Sequence, residues 1–165
     1  MKKQNDVIKF KWETDEEYEY RNNIYYFSDK LNKILRDLEN LAKQSLPNYQ
    51  PMLDKIRSSY GRFIKLLIPD CYQSFHDLYK SGLEYYMKGL VILVNTFIDK
   101  KENKLPDNDK NVIAKITKAG NFFHAGDAYF RIANTKNFEL FEEQQIEYHK
   151  EQEKQKNKVK KRNEH

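Results

Sequence analysis

The sequence predicts an all-α fold, an antiparallel three- to four-helix bundle with a protruding basic C-terminal helix or tail. Apolar residues recur at alternating steps of three and four through several long segments, the spacing of one helix face. Only five Gly and four Pro occur in 165 residues, too few for the tight turns of a sandwich or barrel. At 39 % hydrophobic, 33 % charged and 14 % aromatic residues, the chain has the apolar surface for one core and the length for one domain.

Residues 1–13 read as a polar arm in which Val7, Phe10 and Trp12 pin the terminus to the core. Thr14 and Glu17 have the spacing of a capping box, so a helix starts there. From Tyr20 the positions Ile24, Phe27, Leu31, Ile34, Leu38 and Leu41 form a heptad seam, and the first helix is expected over Asp15 to Gln44. Ser45 to Pro51 holds two prolines and an asparagine and reads as a turn. A second helix opens at Pro51, suited to a first helical position, and runs through Leu53, Ile56, Tyr60, Phe63 and Leu67 until Pro69 ends or kinks it.

The stretch Asp70 to Lys101 is the longest apolar-periodic segment. Phe75, Leu78, Gly82, Tyr86, Gly89, Leu93 and Phe97 make its stripe, and the other helices are expected to pack on it. Glu102 to Asp109 is a polar connector with Asn108 or Asp109 as the next cap. The fourth helix carries Val112, Ile116, Ala119, Phe123, Phe130 and Ala133, and is expected to fray at Asn134 to Asn137, a weak helix-forming run. Apolar residues thin out after Phe141 and Ile146, which divides the chain into a bundle domain, 1–143, and a basic C-terminal extension, 144–165.

All five glycines fall inside predicted helices, where each costs about 0.5 to 1 kcal/mol relative to alanine. Close helix packing is the expected compensation. Folding the third and fourth helices about a turn centred near residue 104 or 105 sets Gly89 opposite Gly120 and Gly82 near Gly126. The same register brings Tyr85, His124 and Asp127 together as a candidate polar pocket, with Glu84 beside it. His76 falls near Ala133 or Asn134, too far along to join His124.

Charge is unevenly placed. Residues 1–153 carry 24 basic and 24 acidic side chains, and residues 154–165 carry six basic against one acidic, so the tail supplies the net charge of +5. Lys154, Lys156, Lys158, Lys160, Lys161 and Arg162 are the candidate nucleic-acid contacts, since flexible cations neutralise phosphates without reading sequence. The twelve tyrosines can stack on bases, although rings in the core with hydroxyls at its wet edge is the commoner use. A single cysteine, Cys71, excludes an internal disulfide and points to a reducing cytoplasm. No apolar run near the start resembles a signal peptide, and Leu90 to Phe97 is too short to cross a bilayer, so no membrane partner is expected.

Catalytic and metal motifs are absent from the sequence. No Glu-x-x-His pair suits a di-iron bundle, one cysteine and no His-x-x-x-His pair exclude a clustered zinc site, and no glycine precedes Lys-Ser or Lys-Thr as in a phosphate loop. Cys71 lacks a base on its own helix face, His76 being five residues on. No catalytic residue, metal or cofactor is expected. The function expected is that of a non-catalytic adaptor, inhibitor or regulatory accessory that binds a protein partner or itself, the alternative being nucleic-acid binding through the tail.

Overall fold

The computed structural model describes residues 8–163, with side chains as far as Val159. It is an all-α bundle of four helices: α1 (Asp15–Leu41), α2 (Gln50–Phe63), α3 (Gln73–Glu102) and α4 (Lys110–Asn163). The Thr14 hydroxyl accepts from the Glu17 amide while the Glu17 carboxylate accepts from the Thr14 amide, so the capping box fixes the start of α1. Ile24, Phe27, Leu31 and Ile34 of the seam are buried in the core. Asp109 caps α4, its Oδ1 accepting from the amides of Asn111 at 2.9 Å and Val112 at 3.0 Å.

Three boundaries differ from expectation. Helix α1 stops at Leu41, three residues before Gln44. Helix α2 ends at Phe63 rather than at Leu67, and Leu67 stands 93 % exposed in the connector. Pro69 is extended and leads into a 3₁₀ turn, Asp70–Tyr72, so α2 and α3 are separate helices rather than one kinked rod. The expected fraying at Asn134 to Asn137 does not occur. Helix α4 runs through it, with Ala133 fully buried and the Thr135 hydroxyl donating to the Arg131 carbonyl at 3.1 Å.

The close-packed pairs are α1 with α2, α2 with α3, and above all α3 with α4. The last pair interlocks through glycine, but three residues out of the expected register. A Cβ on Gly89 would lie 2.5 Å from the Phe123 ring, and one on Gly82 2.5 Å from the Phe130 ring. Gly126 receives the Tyr86 ring, and a Cβ there would also lie 3.1 Å from the Gly82 carbonyl oxygen. Gly82 and Gly126 therefore do meet, whereas nothing lies within 4 Å of a Cβ on Gly120, which does not face Gly89.

The slip comes from the turn. The connection between Glu102 and Lys110 is centred on Pro106 rather than on residue 104 or 105, and each step of the centre moves the pairing by two. Lys104 takes φ of 50°, with the Leu105 amide donating back to the Lys100 carbonyl at 3.0 Å, a helix stop that places the turn late. The buried Lys100 ammonium pairs with Asp107 and holds the connector down.

Helix α4, at roughly 80 Å, far outreaches α3 at roughly 45 Å. The N-terminal arm braces the overhang: Phe10 and Trp12 stack at 5.0 Å, and Phe141 meets both edge-on. Arg21 and Glu13 form a buried ion pair beneath them. Arg21 also donates to the Ile8 carbonyl at 2.7 Å, and its guanidinium lies over the Phe10 ring at 4.4 Å. The arm is thus an anchor, as its aromatic residues imply. Val7 lies outside the described residues.

His76 is buried between α1 and α2 rather than beside Ala133. It stacks flat on Phe63 at 4.2 Å and its Nδ1 shares a hydrogen bond of 3.1 Å with the Tyr20 hydroxyl. Burial holds its pKa below the ordinary 6.5, so the imidazole is neutral in the native state.

Two predictions follow from this packing. Gly82→Ala or Gly89→Ala must displace an aromatic ring, an overpacking cost of about 1–3 kcal/mol, whereas Gly61→Ala and Gly120→Ala meet open space and gain about 0.5–1 kcal/mol of helix propensity. Urea midpoints of the four variants should divide in that way. Because the unfolded chain protonates His76 first, the native state loses stability as pH falls through about 6.5. Urea midpoints at about pH 7.5 and pH 5 should fall more for the parent than for His76→Gln, and equal losses would contradict the buried neutral imidazole.

Candidate functional site

Among the described residues the closest helix pairs run α1 with α2, α2 with α3 and α3 with α4, and a gap lies between α1 and α4 along Ser28 to Leu35. Two lobes form one groove there. The larger, about 670 Å³, has Leu31, Leu35, Tyr79 and Phe130 as its apolar lining, with Asn32 of α1 and His124 and Arg131 of α4 among its polar lining. The smaller, about 220 Å³, continues toward the arm between Ile24, Tyr25, Phe75 and Asn137. Ser28 and Asn134 line both lobes, so the two adjoin.

The chain builds this groove because large rings fill the middle of the bundle. Tyr79 and Phe130 approach with ring centres 4.8 Å apart, and the Tyr79 hydroxyl shares a 3.2 Å hydrogen bond with Ser28. They support α1 from below without letting it reach α4. At the arm end the gap is bridged, where Gln144 of α4 donates to the Glu17 carboxylate of α1 at 3.0 Å.

The sequence-predicted pocket is divided between the two flanks of the α3–α4 pair. Asp127 does line the groove, but it accepts a hydrogen bond from Tyr86, not from Tyr85. That bond to a carboxylate and burial, the larger effect, push the Tyr86 pKa upward. Tyr85 lies on the opposite flank, stacked on Tyr129 at 5.3 Å with the Lys88 ammonium over its ring. Glu84 is taken by Tyr60, whose hydroxyl donates to it at 2.6 Å. His124 lines the groove with its side chain exposed.

Residues that the sequence reading missed are Arg131, Asn134 and the α1 wall. A signal for them was present: Arg21, Tyr25, Ser28, Asn32 and Leu35 repeat at heptad spacing beside the apolar seam, as His124, Asp127, Arg131 and Asn134 do on α4. On the basic end, Lys154, Lys156 and Lys158 are exposed on the terminal part of α4. The side chains of Lys160, Lys161 and Arg162 lie outside the described residues.

Among the described residues no three His, Cys, Asp or Glu side chains converge as metal ligands, and no helix is long and apolar enough to cross a membrane. Cys71 donates its thiol hydrogen to Glu17 at 3.2 Å. Desolvation, followed by that bond and the carboxylate's charge, raises its pKa to about 12. Comparison with known proteins finds no matching family model, no matching curated protein and no matching solved structure.

A thiol so held is a poor nucleophile, because the thiolate is the reactive form. Iodoacetamide should alkylate Cys71 at least about tenfold more slowly than free cysteine near pH 8, and Glu17→Gln should speed it. Alkylation of the parent at the free-cysteine rate would contradict the Cys71–Glu17 bond.

Proposed function

We propose that the chain is a non-catalytic helical protein that works by holding a partner protein in the groove between α1 and α4. The observation that carries this reading is the gap along that side: an up-and-down bundle ordinarily packs its first helix on its fourth, whereas here two walls of heptad spacing stand apart, with Leu35 and Phe130 half-buried over a buried floor of Leu31 and Tyr79. A groove of this kind suits a helix laid lengthwise, with apolar anchors below and polar contacts at the rims. Adaptor, inhibitor and regulatory accessory are all roles that such a surface serves.

Nucleic-acid contact through the basic end is the competing reading. Lys154, Lys156 and Lys158 favour it as exposed cations on α4. Glu147, Glu151 and Glu153 interleave with that end, and the body of the chain is charge-balanced. The groove between α1 and α4 accounts for more of the molecule than this reading does.

Capture of partners from the cell of origin tests the groove. Asn134→Trp sets a bulky ring at an exposed position that lines both lobes, and Leu67→Ser removes the most exposed large apolar side chain among the described residues. Proteins enriched by the parent chain should also be enriched by Leu67→Ser and fall at least about tenfold with Asn134→Trp. Equal enrichment by Asn134→Trp, or a strict monomer that enriches nothing, would contradict the proposal.

A further inference from the structure

The far end of α4 carries its charges in an order that a lone helix does not use to steady itself. Beyond Tyr148, which meets Trp12 at 5.8 Å, α4 runs on to Asn163, about 22 Å farther. From 149 to 159 every side chain but Gln152 is exposed. A solvated helix is ordinarily supported by acid and base four residues apart, and residues 139–162 hold no such pair. Glu143, Glu147 and Glu151 instead follow one another at that spacing, and so do Lys150, Lys154 and Lys158, so each row repels itself. Opposite charges three apart do occur, as in Glu147 and Lys150, yet among the described residues none past Glu139 closes to ion-pair distance. Glu139 itself is taken by Lys136.

At about 100° per residue the six side chains of the two rows fall within about 100° of one helix face. All six are exposed, and Glu142, Glu153 and Lys156 lie outside that sector. We infer that this face pairs with the same face of a second copy of the chain, the two α4 ends running antiparallel so that the glutamate row of each lies along the lysine row of the other. With Glu147 of one copy beside Lys154 of the other, Glu143 meets Lys158 and Glu151 meets Lys150, and the two-fold axis repeats all three. Rows spaced by four are also the ridges that lie side by side in the commonest helix crossing. Parallel pairing would set acid on acid and lysine on lysine. A second copy is the occupant this face fits, because a surface that pairs with itself must carry acid and base in equal number and in reversed order along one face. Ile146, 53 % exposed, borders the sector and adds an apolar contact. The face is separate from the groove between α1 and α4, whose lining on α4 ends at Asn137.

Sedimentation equilibrium of the full chain at about 0.05 M and about 0.5 M salt reads the pairing, because exposed ion pairs are screened in the second. The parent should dimerise at about 100 µM in low salt, with a dissociation constant at least about tenfold higher in high salt. The triple variant Glu143→Lys, Glu147→Lys and Glu151→Lys, and the triple variant Lys150→Glu, Lys154→Glu and Lys158→Glu, change only exposed side chains. With helical circular dichroism retained, each alone should be monomeric in low salt, and the two mixed in equal amounts should form a heterodimer. Asn134→Trp, in the groove, should leave the parent dimer unchanged. Dimers in both separate triple variants, a mixture that stays monomeric, or a parent dimer indifferent to salt would each overturn the pairing of the α4 ends. A parent that stays monomeric in low salt would overturn it as well, and binding of a single-stranded oligonucleotide by that monomer would give the lysines to nucleic acid instead.

Discussion

Everything in this bundle depends on the insertion of aromatic rings into glycine notches between α3 and α4. Phe123 occupies the space at Gly89, Phe130 that at Gly82, and Tyr86 that at Gly126. A helical glycine costs about 0.5–1 kcal/mol, while burying a phenylalanine-sized ring contributes about 1.5–3 kcal/mol when complete. The exchange favours the notch. Because the rings come from both helices, the pair cannot slide by a turn without driving a ring into backbone, so the register is fixed at three places.

From that register the rest follows. It aims Phe130 beneath α1 beside Tyr79, and these rings together take up the space into which α1 would otherwise settle against α4. It also carries α4 well past the start of α3, where the N-terminal arm packs on Phe141 and Tyr148. The buried Arg21–Glu13 pair is the clamp for that arm. Leaving either partner alone would bury an unpaired charge, so the pair is more a determinant of where the arm goes than a source of net stability. The open side is thus a consequence of how the closed sides are packed.

Much of this was legible in the sequence. The capping box at Thr14, the seam of α1, the aspartate cap of α4 and the anchoring aromatics of the arm are local patterns with local causes, and local causes survive the absence of tertiary information. Glycine as the mark of close α3–α4 packing was legible too. What could not be read was the centre of the turn, because Pro106 and the left-handed Lys104 set the helix ends and neither advertises which residue will be the last helical one. That error displaced the α3–α4 pairing by three residues, whereas Tyr85 and His76 were misplaced by helix face: Tyr86 lies on the flank of α3 that meets Asp127 and Tyr85 on the other, and His76 faces α1 and α2. The groove was hidden for a different reason. Its walls are polar stripes next to apolar ones, and such stripes read as solvated faces until the neighbouring helix is seen to stand away.

The ring-in-notch register is the proposition from which the groove, the overhang and the docking reading all descend, and nuclear magnetic resonance tests it directly. Nuclear Overhauser contacts should join the Gly89 α-protons to the Phe123 ring and the Gly82 α-protons to the Phe130 ring, with both glycine signals displaced upfield by the ring currents. Contacts between Gly89 and Gly120 instead, with glycine shifts typical of an ordinary helix, would contradict the account at its base.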